Sequence, residues 1–67
     1  MNGALLKSIR VLNGDTIRDL AGYLGITPQS VSDKINERKT EFKQGEIAAI
    51  KERYSLSADQ VEAIFFA

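Results

Sequence analysis

The stretch Asp15–Thr40, DTIRDLAGYLGITPQSVSDKINERKT, decides the fold. Ile17, Leu20, Ala21 and Leu24 recur at the i, i+3, i+4, i+7 spacing that sets four apolar side chains on one helix face. Gly25 follows at once, and glycine enters left-handed backbone without a Cβ penalty, so the helix is expected to stop there. Thr27-Pro28 then opens a second helix. The threonine hydroxyl can accept from an early backbone N–H, and a proline at the first helical position forfeits no hydrogen bond. Beyond that point only Val31 and Ile35 are expected to point inward. Gln29, Ser30, Ser32, Asp33 and Asn36 are left on the outer face, as short hydrogen-bonding side chains on a helix with few core anchors. Two short amphipathic helices joined in this way make a helix-turn-helix, and the second has the composition of a helix that reads base edges.

Upstream, Leu5, Leu6, Ile9 and Leu12 form the apolar stripe of a first helix over Gly3–Leu12, which Asn13-Gly14 ends. Thr16-Ile17-Arg18-Asp19 reads as a capping box for the next helix, with Asp19 a shorter stand-in for the usual glutamate and well placed at the positive end of the dipole. Gly22 sits inside that helix at a cost of up to about 1 kcal/mol relative to alanine. Downstream, the third helix is expected from Pro28 to about Glu37, followed by a polar connection, Arg38-Lys39-Thr40-Glu41, and by Phe42, which pins the loop to the core. A fourth helix from about Gln44 to Tyr54 carries Ile47, Ile50 and Tyr54 as its stripe, with Ala48 and Ala49 as helix formers. Ser57-Ala58-Asp59-Gln60 is a second capping box, opening a fifth helix with Val61, Ile64 and Phe65 inward and with Leu56 and Val61 spaced as a hydrophobic staple. No strand alternation, repeat, low-complexity tract or linker interrupts the pattern. The expected architecture is all-α, one domain over residues 1–67, a compact bundle of five short helices.

Composition narrows what such a bundle can do. A chain of 67 residues has little material for a deep cleft, and the absence of cysteine and histidine removes thiol nucleophiles, disulfides, the usual zinc ligands and the commonest general base. The serines have no histidine partner, and no glycine-rich phosphate loop is present. An enzyme is not expected, nor a cofactor or metal. No apolar run approaches the roughly 20 residues that span a bilayer, and Met1–Lys7 has no charged lead before its short apolar pair, so the cytoplasm is the expected compartment and a membrane is not a partner. Nine basic residues balance nine acidic ones. Their distribution is uneven: Lys7 and Arg10 stand in an acid-free first segment, Lys34, Arg38, Lys39 and Lys43 outnumber Asp33, Glu37 and Glu41, and the chain from Gln44 onward is net acidic. A domain with one DNA-facing side would show that asymmetry, as would a solvated helical surface.

The pattern resembles the phage repressor and Cro-like helix-turn-helix family, whose fold is called lambda-repressor-like. The matching residues are Leu20-Ala21, Leu24-Gly25-Ile26-Thr27, Val31-Ser32 and Ile35, then Ile47, Ile50, Leu56-Ser57 and Val61. Phe42-Lys43-Gln44 with Glu46-Ile47, and the closing Ile64-Phe65-Phe66, resemble small Cro-like regulators of temperate phages. The resemblance covers nearly the whole chain. It implies a sequence-specific transcriptional regulator, a repressor in a phage or prophage switch, that binds a two-fold double-stranded DNA operator as a homodimer with its third helix in the major groove.

On that resemblance Gln29 is the foremost base reader, since a carboxamide pairs with adenine through two hydrogen bonds. Ser32 and Asp33 share its face. Asp33 reads either as an acceptor for cytosine N4 or as an ordinary solvated acid. Pro28 occupies a base-facing position where many relatives carry a polar side chain, and so removes one hydrogen bond from the code. Thr16, Ser30, Asn36, Arg38, Lys39 and Thr40 match phosphate-contacting places, and Arg10 either joins them or braces the third helix. Phe66 lies about 100° around the helix from Phe65, which makes it a contact for the core edge or for a second subunit. The other function open to this scaffold is a protein-interaction module, an antirepressor or modulator that binds a repressor or host regulator without specific DNA binding.

Overall fold

In the computed structural model, which describes residues 1–66, the chain forms α1 (Gly3–Leu12), α2 (Ile17–Leu24), α3 (Pro28–Ile35), α4 (Gln44–Arg53) and α5 (Ala58–Phe65), with no strand among the described residues. Each start has an identifiable cause. The Asn2 side chain accepts from Leu5 N–H at 3.1 Å, and Thr16 and Asp19 exchange hydrogen bonds of 3.0 Å each in a reciprocal capping box. Thr27 Oγ1 accepts from Ser30 N–H at 3.1 Å with Pro28 at the first helical position. Glu46 reaches back to the Lys43 N–H, and Ser57 and Gln60 form the second reciprocal box. These bonds satisfy donors that a helix leaves open at its start. Gly25 ends α2 in the left-handed region at φ 72°, as its place after Leu24 predicts.

Leu6, Leu20, Ala21, Val31, Phe42, Ile50, Tyr54, Leu56 and Ile64 make the core, one or two residues from every helix and its flanks. Helices α2 and α3 pack directly against each other. Phe42 turns inward and meets the half-buried Phe65 edge to face, with ring centroids 5.8 Å apart, so the connection before α4 is anchored as its aromatic residue implies. At the other side of the bundle the start of α1 lies close to the end of α3. A Cβ added at Gly3 would come within 3.0 Å of Ile35 Cγ2.

Three expectations are corrected. Leu12 does not join the α1 stripe. It is 85% exposed, because the helix is finishing and Asn13-Gly14 turns the chain away before another element can cover it. Helix α3 stops at Ile35, two residues short of Glu37, because Glu37 and Lys39 both take positive φ, 53° and 64°, in the turn that follows. Lys34 is the third. It is only 6% exposed, so Val31 and Ile35 are not the sole inward side chains of α3. Its aliphatic stem runs into the bundle and its ammonium lies 3.2 Å from Glu46 Oε1 and 3.4 Å from the Glu41 carbonyl.

Candidate nucleic-acid interface

The orientation of α3 follows from what holds it. Val31 is fully buried, Ile35 and Lys34 lean on the bundle, and Pro28 and Gln29 stand exposed at the N-terminal turn, with Ser32 and Asp33 half-buried one turn on. Gln29 and Asp33 are brought together: Gln29 Nε2 donates to Asp33 Oδ1 at 2.9 Å across one helical turn. The pair fixes the carboxamide plane while its Oε1 remains an acceptor. It also makes Asp33 the partner of Gln29, a relation that spacing four residues apart permits and that neither side chain announces by itself.

Ser32 and Asn36 face a different neighbour. Asn36 Nδ2 donates to the Ser32 carbonyl at 2.9 Å, and both residues line an open groove of about 610 Å³ between α3 and α1. Lys7 and Arg10 lie along the α1 side of that groove and no acidic residue lines it. Arg10 does not brace α3 through a hydrogen bond. Its guanidinium donates to the Asp15 carbonyl at 2.6 Å, which ties the end of α1 to the start of α2 and keeps the positive charge at the groove.

The remaining residues of the phosphate set are placed as follows. The Thr16 hydroxyl is occupied as the cap of α2, with its residue exposed. Ser30 gives its backbone N–H to Thr27 and is half-buried. Arg38, Lys39 and Thr40 are exposed in the α3–α4 connection, where the left-handed Lys39 sets a sharp change of direction. Lys34 leaves the set of available cations altogether. Phe66, the last helix neighbour, is 66% exposed and belongs to no core contact.

A second arrangement carries no local sequence signal. Arg53, at the end of α4, grips Asp15 with two bonds, Nε to Oδ2 at 2.8 Å and Nη2 to Oδ1 at 2.6 Å, and the Tyr54 hydroxyl donates to the same carboxylate. Arg53 also stacks 4.7 Å above the ring of Tyr23 on α2. The hydrogen bonds from Arg53 hold the Asp15 carboxyl below the ordinary range, against the opposing effect of its burial and with help from Tyr54. Burial first, then the neighbouring carboxylate, pushes the Tyr54 phenol up. Asp19 is held down by its bonds to Thr16, and for Glu46 the burial that would raise its pKa is outweighed by the Lys43 N–H and by Lys34. The signal for this clamp was the coincidence of an acid in one turn and Arg-Tyr in another, 38 residues apart, and no periodicity links them.

Among the described residues no group of three or more acidic side chains is placed to hold a metal ion, and no helix is long and apolar enough to cross a membrane. No family model, curated protein or solved structure matches the chain.

Proposed function

We propose that this chain is a sequence-specific DNA-binding transcriptional regulator, a Cro-like repressor of a phage or prophage switch with a lambda-repressor-like fold, in which α2 and α3 are the helix-turn-helix. The observation that carries the reading is the α2–Gly25–Thr27–α3 unit: a left-handed glycine, a threonine cap and a buried Val31 fix α3 from one side, while Pro28, Gln29, Ser32 and Asp33 stay out of the core. Arg10, Thr16, Ser30, Asn36, Arg38, Lys39 and Thr40 supply phosphate contacts around it, chiefly through Arg38 and Lys39 as exposed cations. Such a regulator works in the cytoplasm, where its operator is, and needs no catalytic group and no cofactor.

Three or four base-reading side chains at about 1 to 3 kcal/mol each give one domain too little discrimination, so two copies are expected on a two-fold site. The dimensions agree with this. Extents of 27 × 26 × 21 Å let two copies lie side by side with equivalent helices about 34 Å apart, one turn of the duplex.

The second reading, a module that binds another regulator, is favoured by one observation: Asp33 sits on the proposed reading face and engages Gln29. Selection of bound sequences from random duplexes at low and near-physiological salt separates the two. Enrichment of a two-fold motif whose affinity falls steeply with salt supports the operator reader. Absence of binding even at low salt makes the protein-interaction reading the stronger.

A further inference from the structure

We propose that two copies of this chain pair, in the absence of DNA, through a self-complementary surface centred on Met1, and that the pair covers part of the face assigned to DNA. Two grooves meet at Met1, which lines both. The wider, between α1 and α3, has Lys7 and Arg10 as its charged side chains and Ile17 and Ile35 among its apolar ones. The narrower, of about 250 Å³, has Glu37 and Glu41 as its charged side chains and is otherwise mostly aromatic and aliphatic, with Phe66 at its edge. The Met1 ammonium lies 2.5 Å from Glu37 Oε1, so Glu37 is engaged within its own chain and Glu41 is the unpaired acid of the narrower groove. Unpaired positive charge therefore lies on one side of Met1 and the Glu41 carboxylate on the other.

A two-fold axis through the centre of such a surface lays each copy's basic groove over its partner's acidic one, twice, which is the condition for an isologous interface. Among the described residues neither the Lys7 ammonium nor the Glu41 carboxylate has an ion-pair partner in its own chain. Phe66, 66% exposed beside the acidic groove, is carried by the same rotation toward the wider groove of the partner, where Ile17 and Ile35 offer apolar surface. The occupant is thus a second copy of this chain.

Ser32 and Asn36 line the wider groove, so pairing encloses them, and the pair has to open before α3 can enter a major groove. That competition rests on the DNA reading; the pairing itself does not. Sedimentation of the whole 67-residue chain without DNA, from micromolar to millimolar concentration, tests the pairing. A monomer–dimer equilibrium that weakens with salt is expected. Lys7→Glu and Glu41→Lys should each weaken it by about tenfold or more, and the double variant should recover most of the loss, because each contact then has its charges exchanged rather than matched in sign. Phe66→Ser should weaken it with helical circular dichroism unchanged. A chain that is monomeric throughout, a dimer indifferent to salt, or a double variant no tighter than the single ones overturns the proposal. Retention of a selected duplex, measured separately on the same samples, reports on the DNA reading: its failure leaves the sedimentation result standing.

Discussion

At the scale of single residues, Gln29 and Lys34 show how differently two polar side chains on one helix can be used. Gln29 is exposed and held in plane by Asp33, so its carboxamide is ready to present a donor and an acceptor together. On the preferred operator, Gln29→Ala is expected to cost about 1 to 3 kcal/mol and to relax selectivity at one base pair, read by titration against a set of single-base variants. Equal weakening on every sequence would remove Gln29 as a reader. Lys34 gives the opposite expectation. Its charge is spent on Glu46 inside the bundle, so Lys34→Met, which leaves the Glu46 carboxylate without its partner, should lower stability and not DNA affinity. Lys34→Met should leave the salt slope of DNA binding unchanged, whereas Arg38→Ala should lower it by about one. A Lys34→Met variant with the shallower slope would make Lys34 a phosphate contact after all.

At the scale of elements, the starts of the helices were legible because capping is local chemistry: Thr16 with Asp19, Thr27 with Pro28, and Ser57 with Gln60 declare themselves within four residues. The end of α3 was not, since Glu37 and Lys39 adopt left-handed backbone without being glycine, held there by the turn that returns the chain to Phe42. Nor was the burial of Lys34, which depends on Glu46 arriving from another helix. The outer face of α3 was readable as a set of polar residues outside the core, yet its division was hidden: Gln29 and Asp33 bond to each other, while Ser32 and Asn36 belong to the groove with α1. Gly22 resolves simply. An added Cβ there meets nothing within 4 Å, so the position is not crowded, and the glycine only enlarges the unfolded ensemble. Gly22→Ala should stabilise the fold by about 0.5 to 1 kcal/mol, seen as a higher urea midpoint with the same m-value. A lower midpoint would mean that the backbone of α2 shifts there.

At the scale of the whole molecule, proton linkage is dominated by groups that tie helices together. Asp15 and Glu46 have pKa values held below their ordinary 3.8 and 4.5, so the folded state prefers them ionised more strongly than the unfolded chain does. Their contribution is fully present above pH about 5 and is lost as the pH falls through the ordinary carboxylate range toward the depressed folded values. Tyr54 has the opposite sign: its pKa is raised above 10.0, so its contribution holds below pH 10 and declines as the pH climbs beyond it. Urea midpoints measured across pH should therefore form a plateau with an acid shoulder and an alkaline one. Asp15→Asn should reduce both, leaving the part of the acid shoulder due to Glu46 and the part of the alkaline one due to burial of the Tyr54 phenol; an unchanged alkaline limb would detach Asp15 from the Tyr54 shift.

The Asp15–Arg53 grip also has a consequence in time. Helices α2 and α3 are neighbours along the chain and can meet within a short search, but residues 15 and 53 must close a segment of 38 residues before their bonds form, and longer closures cost more entropy. The clamp is therefore expected to lock after the barrier to folding has been crossed, which refolding and unfolding rates of Asp15→Asn would check. Weakening it should leave the refolding rate almost untouched and hasten unfolding, which makes this one carboxylate a setting for how long a folded molecule lasts.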